Sequence, residues 1–170
     1  MNATTLLIDA FQRLHTLVSA TVRGLDAEAL AWRPDPEANS IVWLVWHLTR
    51  VQDDHVAEIA GHEQAWVSGA WAERLGLPAA FDDTGYGHAA KEVAMLGAAD
   101  IGLLLEYHDR VANQTVEYLR TVADDDLERI IDRSFDPPVS VGARLVSVVG
   151  DDLQHVGQAA YVRGLYERQG

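Results

Sequence analysis

The sequence predicts an all-α protein, a four-helix bundle with a long connection between its second and third helices. Three observations carry that prediction. Four long segments space their apolar residues by three and four. Proline-bearing stretches separate the first segment from the second and the third from the fourth. No stretch sustains the period-two alternation of a half-buried strand. At 170 residues the chain suits one domain, residues 1–170, large enough to bury a sizeable core.

The first helix is expected from about Thr4 to Gly24. Leu7, Phe11, Leu14, Leu17, Val18 and Val22 fall on one stripe there, and Gly24 supplies a stop. Pro34 and Pro36 bar a regular helix across the next stretch, because each lacks an amide proton and restricts the residue before it. Asn39 or Ser40 caps a second helix over Ile41 to Ala60, which Gly61 ends. From His62 to Ala99 the pattern is irregular, with a short helix near Glu63 to Leu75 the element expected in it. Connections of this length are often functional.

Asp100 caps a third helix from about Ile101 to Val122, with Leu103, Leu104, Tyr107, Val111, Thr115, Tyr118 and Leu119 on its apolar stripe. Asp124 to Leu127 opens a short turn or helix, and Asp136-Pro137-Pro138 breaks the chain. Ser140 then caps the last helix, about Val141 to Tyr166. Gly142, Gly150, Gly157 and Gly164 lie within it at spacings of seven and eight, a pattern expected to admit a close neighbour.

The charge balance narrows the partners. Asp and Glu number 26 against 13 Lys and Arg, for a net charge of −13. Nucleic acids are polyanions bound largely through Lys and Arg, so neither they nor anionic lipids are expected partners. Cysteine is absent, which excludes disulfides, a protein thiolate and Cys-ligated zinc. The N-terminal residues lack the charged and apolar regions of a secretory signal, and no apolar run approaches the ~20 residues of a membrane span. A cytoplasmic protein is expected. Lys91 is the only lysine among the basic residues, a usage common in GC-rich genomes.

Asp151 and His155 are the sharpest chemical pair. Standing four apart on a helix, they point to one face, the spacing by which a helix gives two ligands to one metal. An ordinary helical ion pair has the same spacing and, on spacing alone, is the commoner case. His47 lies mid-helix among apolar residues and by itself reads more often as a core histidine. Together the three offer two imidazoles and a carboxylate, a set that suits zinc, nickel or iron(II) with positions left open. Asp54, seven residues past His47, either orients a ligand or belongs to a solvated acidic patch with Asp53 and His55. Gly85-Tyr86-Gly87-His88 reads as a lid or, more simply, a turn. Trp43, Trp46, Trp66 and Trp71 wall a pocket or fill the core. His15, His62 and His108 have no companion at ligand spacing. No phosphate loop, dinucleotide fingerprint or serine nucleophile elbow is present.

Trp32-Arg33-Pro34, Asn39-Ser40-Ile41, Leu44-Val45-Trp46-His47-Leu48, Asp151-Asp152-Leu153-Gln154-His155-Val156-Gly157-Gln158 and Tyr161-Val162-Arg163-Gly164 together resemble the DinB/YfiT-like superfamily. The resemblance spans about Leu6 to Leu165. It implies a four-helix bundle, often dimeric, and one metal held by a histidine of the second helix and two residues four apart on the last. Here these are His47, Asp151 and His155. Many members carry histidine where Asp151 stands, and the change lowers the charge of the site by one.

The resemblance further implies a transferase that joins a low-molecular-weight thiol (mycothiol, bacillithiol or glutathione) to an electrophile, with maleylpyruvate isomerases as one branch. The Arg-rich usage resembles that of actinobacterial proteins, for which mycothiol is the expected thiol. On this reading Asp54 and Gln158 orient ligands or water, while Trp43, Tyr86, His88 and Arg163 meet the substrates. The competing expectations are a non-catalytic dimeric stress protein that binds a metal or small ligand, and a metal-dependent isomerase or hydrolase using Asp54 or His88 as acid–base group. The expected partners are the thiol, the electrophile and a second copy of the chain.

Overall fold

The computed structural model describes residues 2–78 and 81–169. Its long helices are α1 (Ala3–Val22), α3 (Ile41–Ala60), α7 (Ile101–Leu119) and α8 (Val141–Tyr166). Short helices lie between them: α2 (Ala27–Ala31), α4 (Ala65–Ser68), α5 (Trp71–Arg74) and α6 (Ala90–Met95). The long helices form a ring in which α1 touches α7 and α8, and α3 touches the same two. This is the predicted four-helix bundle.

Local chemistry sets the helix ends. The Ser40 hydroxyl accepts from the Trp43 amide and starts α3, and Ser140 does the same for α8 through Ala143. Gly61 closes α3 in the left-handed region at φ 74°, its amide donating to the Ala57 carbonyl. Asp100 caps α7 through the amides of Gly102 and Leu103. Two helices end earlier than their apolar stripes suggest. The first stops at Val22, before Gly24, and α7 stops at Leu119, where the Thr121 hydroxyl donates to the Tyr118 carbonyl and closes the last turn.

Three further features depart from the sequence-based expectations. A five-residue helix, α2, forms before the prolines, because Asp26 caps it at Ala29 and it ends at Ala31, short of Arg33, the residue that Pro34 restricts. The stretch near Glu63 to Leu75 holds two single turns, α4 and α5, separated by Ala70 at φ 49°. Strands β1 (Ile130–Asp132) and β2 (Val139–Ser140) pair antiparallel ahead of α8, too short to show a periodic pattern in the sequence. The glycines of α8 do not form a packing seam. Only Gly142 meets another element closely, with Leu127 at 3.2 Å from an added Cβ, while Gly150 and Gly157 face open space.

Phe11, Leu14 and Val18 of α1 meet Leu44, Val45 and Leu48 of α3, Leu104 and Val111 of α7, and Leu145 and Val148 of α8 in one core. Polar ties cross it: Gln52 donates to Thr115, and His108 sits against Thr49. The core holds α3 and α8 side by side, and this pair positions the site.

Candidate metal centre

His47 lies in the middle of α3 and is 5% exposed. Asp151 and His155 stand one turn apart on α8. One ligand atom from each of the three lies within 4.8 Å of the others. The rings of His47 and His155 meet edge-on, with centroids 4.5 Å apart. The Asp151 and His155 side chains remain 33% and 18% exposed, so the site opens to solvent along α8.

The hydrogen-bond pattern assigns the imidazole protons. Nδ1 of His47 donates to the Thr84 carbonyl, and Nδ1 of His155 donates to the Asp151 carbonyl at 2.8 Å. Each ring therefore keeps Nε2 as its available lone pair. The Asp151 carboxylate lies 3.3 Å from His155 Nδ1, but that N–H is aimed at the backbone carbonyl. Its Oδ2 is buried with no hydrogen-bond partner. A buried acceptor in that state costs free energy unless something satisfies it. Two free imidazole lone pairs beside an orphaned carboxylate oxygen fit a divalent cation in kind and number.

The electrostatics agree. Burial pulls His47 below the ordinary histidine value, with the Thr84 carbonyl opposing and the charge of His155 adding to it. His155 lies above the ordinary value, because the Asp151 carboxylate and carbonyl outweigh its burial. Asp151 lies below the usual carboxylate value, because His155, His47 and His55 outweigh the effect of burial. Asp151 and His155 thus favour each other's charged forms, and a cation bound between them would compete with a proton on His155. Asp152 next door is wholly buried and points elsewhere. Burial, then the charge of Asp151, pushes its carboxyl well above the usual range.

Behind His47, the connection between α3 and α7 is fastened to α3 like a strap. Trp43 stacks on the His47 ring with centroids 4.7 Å apart. Gly85, at φ 89°, passes so near that an added Cβ would lie 2.6 Å from the Trp46 ring and 3.2 Å from His47 Nδ1. Only glycine suits that position, on both counts.

The structure places the other expected site residues as follows. Trp43 is buried against the rear of His47, and its Nε1 donates to His88 Nδ1 at 3.2 Å. His88 spends Nε2 on Asp83, 2.9 Å away, so both its nitrogens are engaged within the strap. Tyr86 is 95% exposed and covers nothing. Arg163 donates to the carbonyls of Ala20, Thr21 and Arg23 at the end of α1 and pairs with Glu167, which gives it a capping role there. Asp54 accepts from the Gln64 amide at 2.6 Å. Four of these five residues are thus engaged in contacts within the protein, and Tyr86 faces solvent. Gln158 is exposed, three residues beyond His155 on α8.

Sequence reasoning missed Arg144 and left His55 in a solvated acidic patch. His55 feels the charge of Asp151, and Arg144 donates to His55 Nδ1 at 2.8 Å. Burial and then Arg144 hold His55 below the ordinary histidine value. The available signal was position: Arg144 stands seven residues before Asp151, on the same face of α8.

Residues 10–159 match the family model of the DinB superfamily. Among solved structures, the chain is similar to the crystal structure of a conserved protein from Enterococcus faecalis, at 30% identity over 96% of each chain, with a TM-score of 0.87. No curated protein matches.

Proposed function

Since the chain belongs to the DinB superfamily, we propose that it is a metal-dependent transferase that joins a low-molecular-weight thiol, mycothiol first among them, to a small electrophile. The observation that carries this reading is the Asp151 carboxylate oxygen, buried without a hydrogen bond, beside two imidazoles whose Nδ1 atoms face backbone carbonyls. Zinc, or else nickel or iron(II), held by His47, Asp151 and His155 would lower the pKa of an approaching thiol from the ordinary value of about 8.5. Three protein ligands leave room for exchangeable molecules, as in catalytic zinc sites.

The chain's own groups supply orientation. Arg144 makes one close hydrogen bond, to His55, while Glu58 and Asp132 stay 3.8 and 3.7 Å away. Its remaining N–H groups are available to an anionic part of a substrate. Gln158, one turn past His155, would meet the amide groups of a thiol cosubstrate. The protein would act as a homodimer, and no nucleic acid or membrane enters the reaction.

A non-catalytic, dimeric metal-binding stress protein would use the same three ligands. The exposed Tyr86, which leaves the site without a cover, favours that second reading. An isomerase or hydrolase would need an acid–base group beside the cation, and Asp54 and His88 are engaged elsewhere.

The test is the rate at which a generic electrophile disappears with mycothiol, bacillithiol or glutathione, with and without chelator. Thiol-selective turnover that chelation abolishes is expected. Equal rates in the two conditions would contradict the mechanism. Bound metal without acceleration by any thiol would favour the non-catalytic reading.

A further inference from the structure

We propose that Arg50 is a positioning residue for His47, acting through the backbone of Asp82 to Gly85; the inference rests on the metal-centre reading above. Arg50 is 1% exposed and stands three residues past His47 on α3. Its Nη2 donates to the Asp82 carbonyl at 2.8 Å, and its Nε to the Asp83 carbonyl at 3.1 Å. The next carbonyl, that of Thr84, takes the His47 Nδ1 proton. Three consecutive strap carbonyls are thus read by two α3 side chains one turn apart.

The far side of the guanidinium is held equally firmly. Nη1 donates to Gln64 Oε1 at 2.9 Å and to the Tyr107 hydroxyl at 3.3 Å, with Asp53 at 3.5 Å. The Arg50 guanidinium also lies over the Trp66 ring, 4.8 Å from its centroid. Asp53 accepts from the amides of Ala65 and Trp66 and from the Tyr107 hydroxyl, each at 2.8 Å. The strap is therefore pinned to α3 at both ends, near Gln64 and near Asp83, through one buried ion pair. Breaking such a pair by removing one partner is costly, so its register is firmly set.

That register decides which nitrogen of His47 faces the cation. A carbonyl held at Nδ1 fixes both the tautomer and the ring rotation, the usual service of a ligand's hydrogen-bond partner. If the strap slips along α3, the Thr84 carbonyl leaves Nδ1 and the imidazole is free to exchange tautomers. Arg50 touches no reacting atom. Its effect passes entirely through main chain.

The experiment compares the full-length wild type with Arg50→Lys, Gly85→Ala and Val18→Ala. Lysine keeps the charge but cannot span two carbonyls. Alanine at position 85 pushes the strap from the other side. Val18 is a buried α1 residue that serves as a stability control. The readouts are zinc affinity, by competition with a chromophoric chelator, and the ring nitrogen chemical shifts of His47 in metal-free protein.

The strap variants are expected to bind zinc about ten- to a hundred-fold more weakly. Their His47 shifts should move toward a mixture of tautomers, while Val18→Ala keeps both wild-type values. A folded strap variant with wild-type affinity and unchanged shifts would overturn the proposal. If the wild type takes up no zinc, the metal reading fails, and the metal-free shifts still decide whether Arg50 positions His47.

Discussion

His108 shows how one buried side chain ties stability to pH. The Thr49 hydroxyl donates to the Val45 carbonyl at 2.7 Å, so its oxygen accepts the His108 Nδ1 proton at 3.0 Å. Nε2 is left as a buried acceptor without a partner. Burial, helped by His15 stacked 5.5 Å away, pulls the His108 pKa down to about 4. The folded state therefore keeps His108 neutral, whereas the unfolded chain protonates it near the ordinary 6.5. Stability from this residue is complete above that value and is lost as the pH falls towards 4. The loss between pH 7 and pH 5 should be about 2 kcal/mol. Urea unfolding at the two pH values measures it, and His108→Gln should remove that share of the pH dependence. An unchanged slope in the variant would contradict the assignment. His155 acts with the opposite sign, because its raised value gives stability that is lost as the pH rises through it, so the variant comparison is what isolates His108.

Among the elements, α3 and α8 were legible in the sequence to the residue, because their boundaries depend on side chains and one glycine that act locally: Ser40, Gly61 and Ser140. The strap was not. It is held by carbonyls of Asp82, Asp83 and Thr84 bound across more than thirty residues, and a carbonyl leaves no mark in a sequence. The motif Gly85-Tyr86-Gly87-His88 was visible as a lid or a turn, but not its place against His47. It supports the rear of His47, and Tyr86 points to solvent. The spacing of the α8 glycines likewise left open which neighbour they admit. Periodicity shows which residues share a face but not whether that face looks inward. Val146, Leu153 and Tyr161 are 62%, 48% and 67% exposed, on the same outer stripe as Gly150 and Gly157. An exposed apolar stripe of this kind suits a partner surface, and a dimer through α8 is expected. Light scattering should give a dimer for the wild type and a monomer for Leu153→Glu. A monomeric wild type would contradict it.

For the whole molecule, the bundle's contribution is convergence. His47 lies more than a hundred residues from Asp151, and the spacing rules that single out Asp151 and His155 say nothing about where a third ligand arrives. Packing of α3 on α8 brings the three together, and the strap and the His155 backbone bond set their tautomers. The surplus of acid over base, 26 residues against 13, makes the protein strongly negative, and Arg144, bonded to His55, stands 3.8 Å from Glu58 and 3.7 Å from Asp132. The central claim is that one cation is shared by His47, Asp151 and His155. Anomalous diffraction at the zinc edge from crystals grown with zinc tests it most directly. The account predicts a single strong peak about 2.0–2.2 Å from both Nε2 atoms and from a carboxylate oxygen of Asp151. A zinc-loaded crystal with the three side chains unliganded, or with the peak elsewhere, would contradict it.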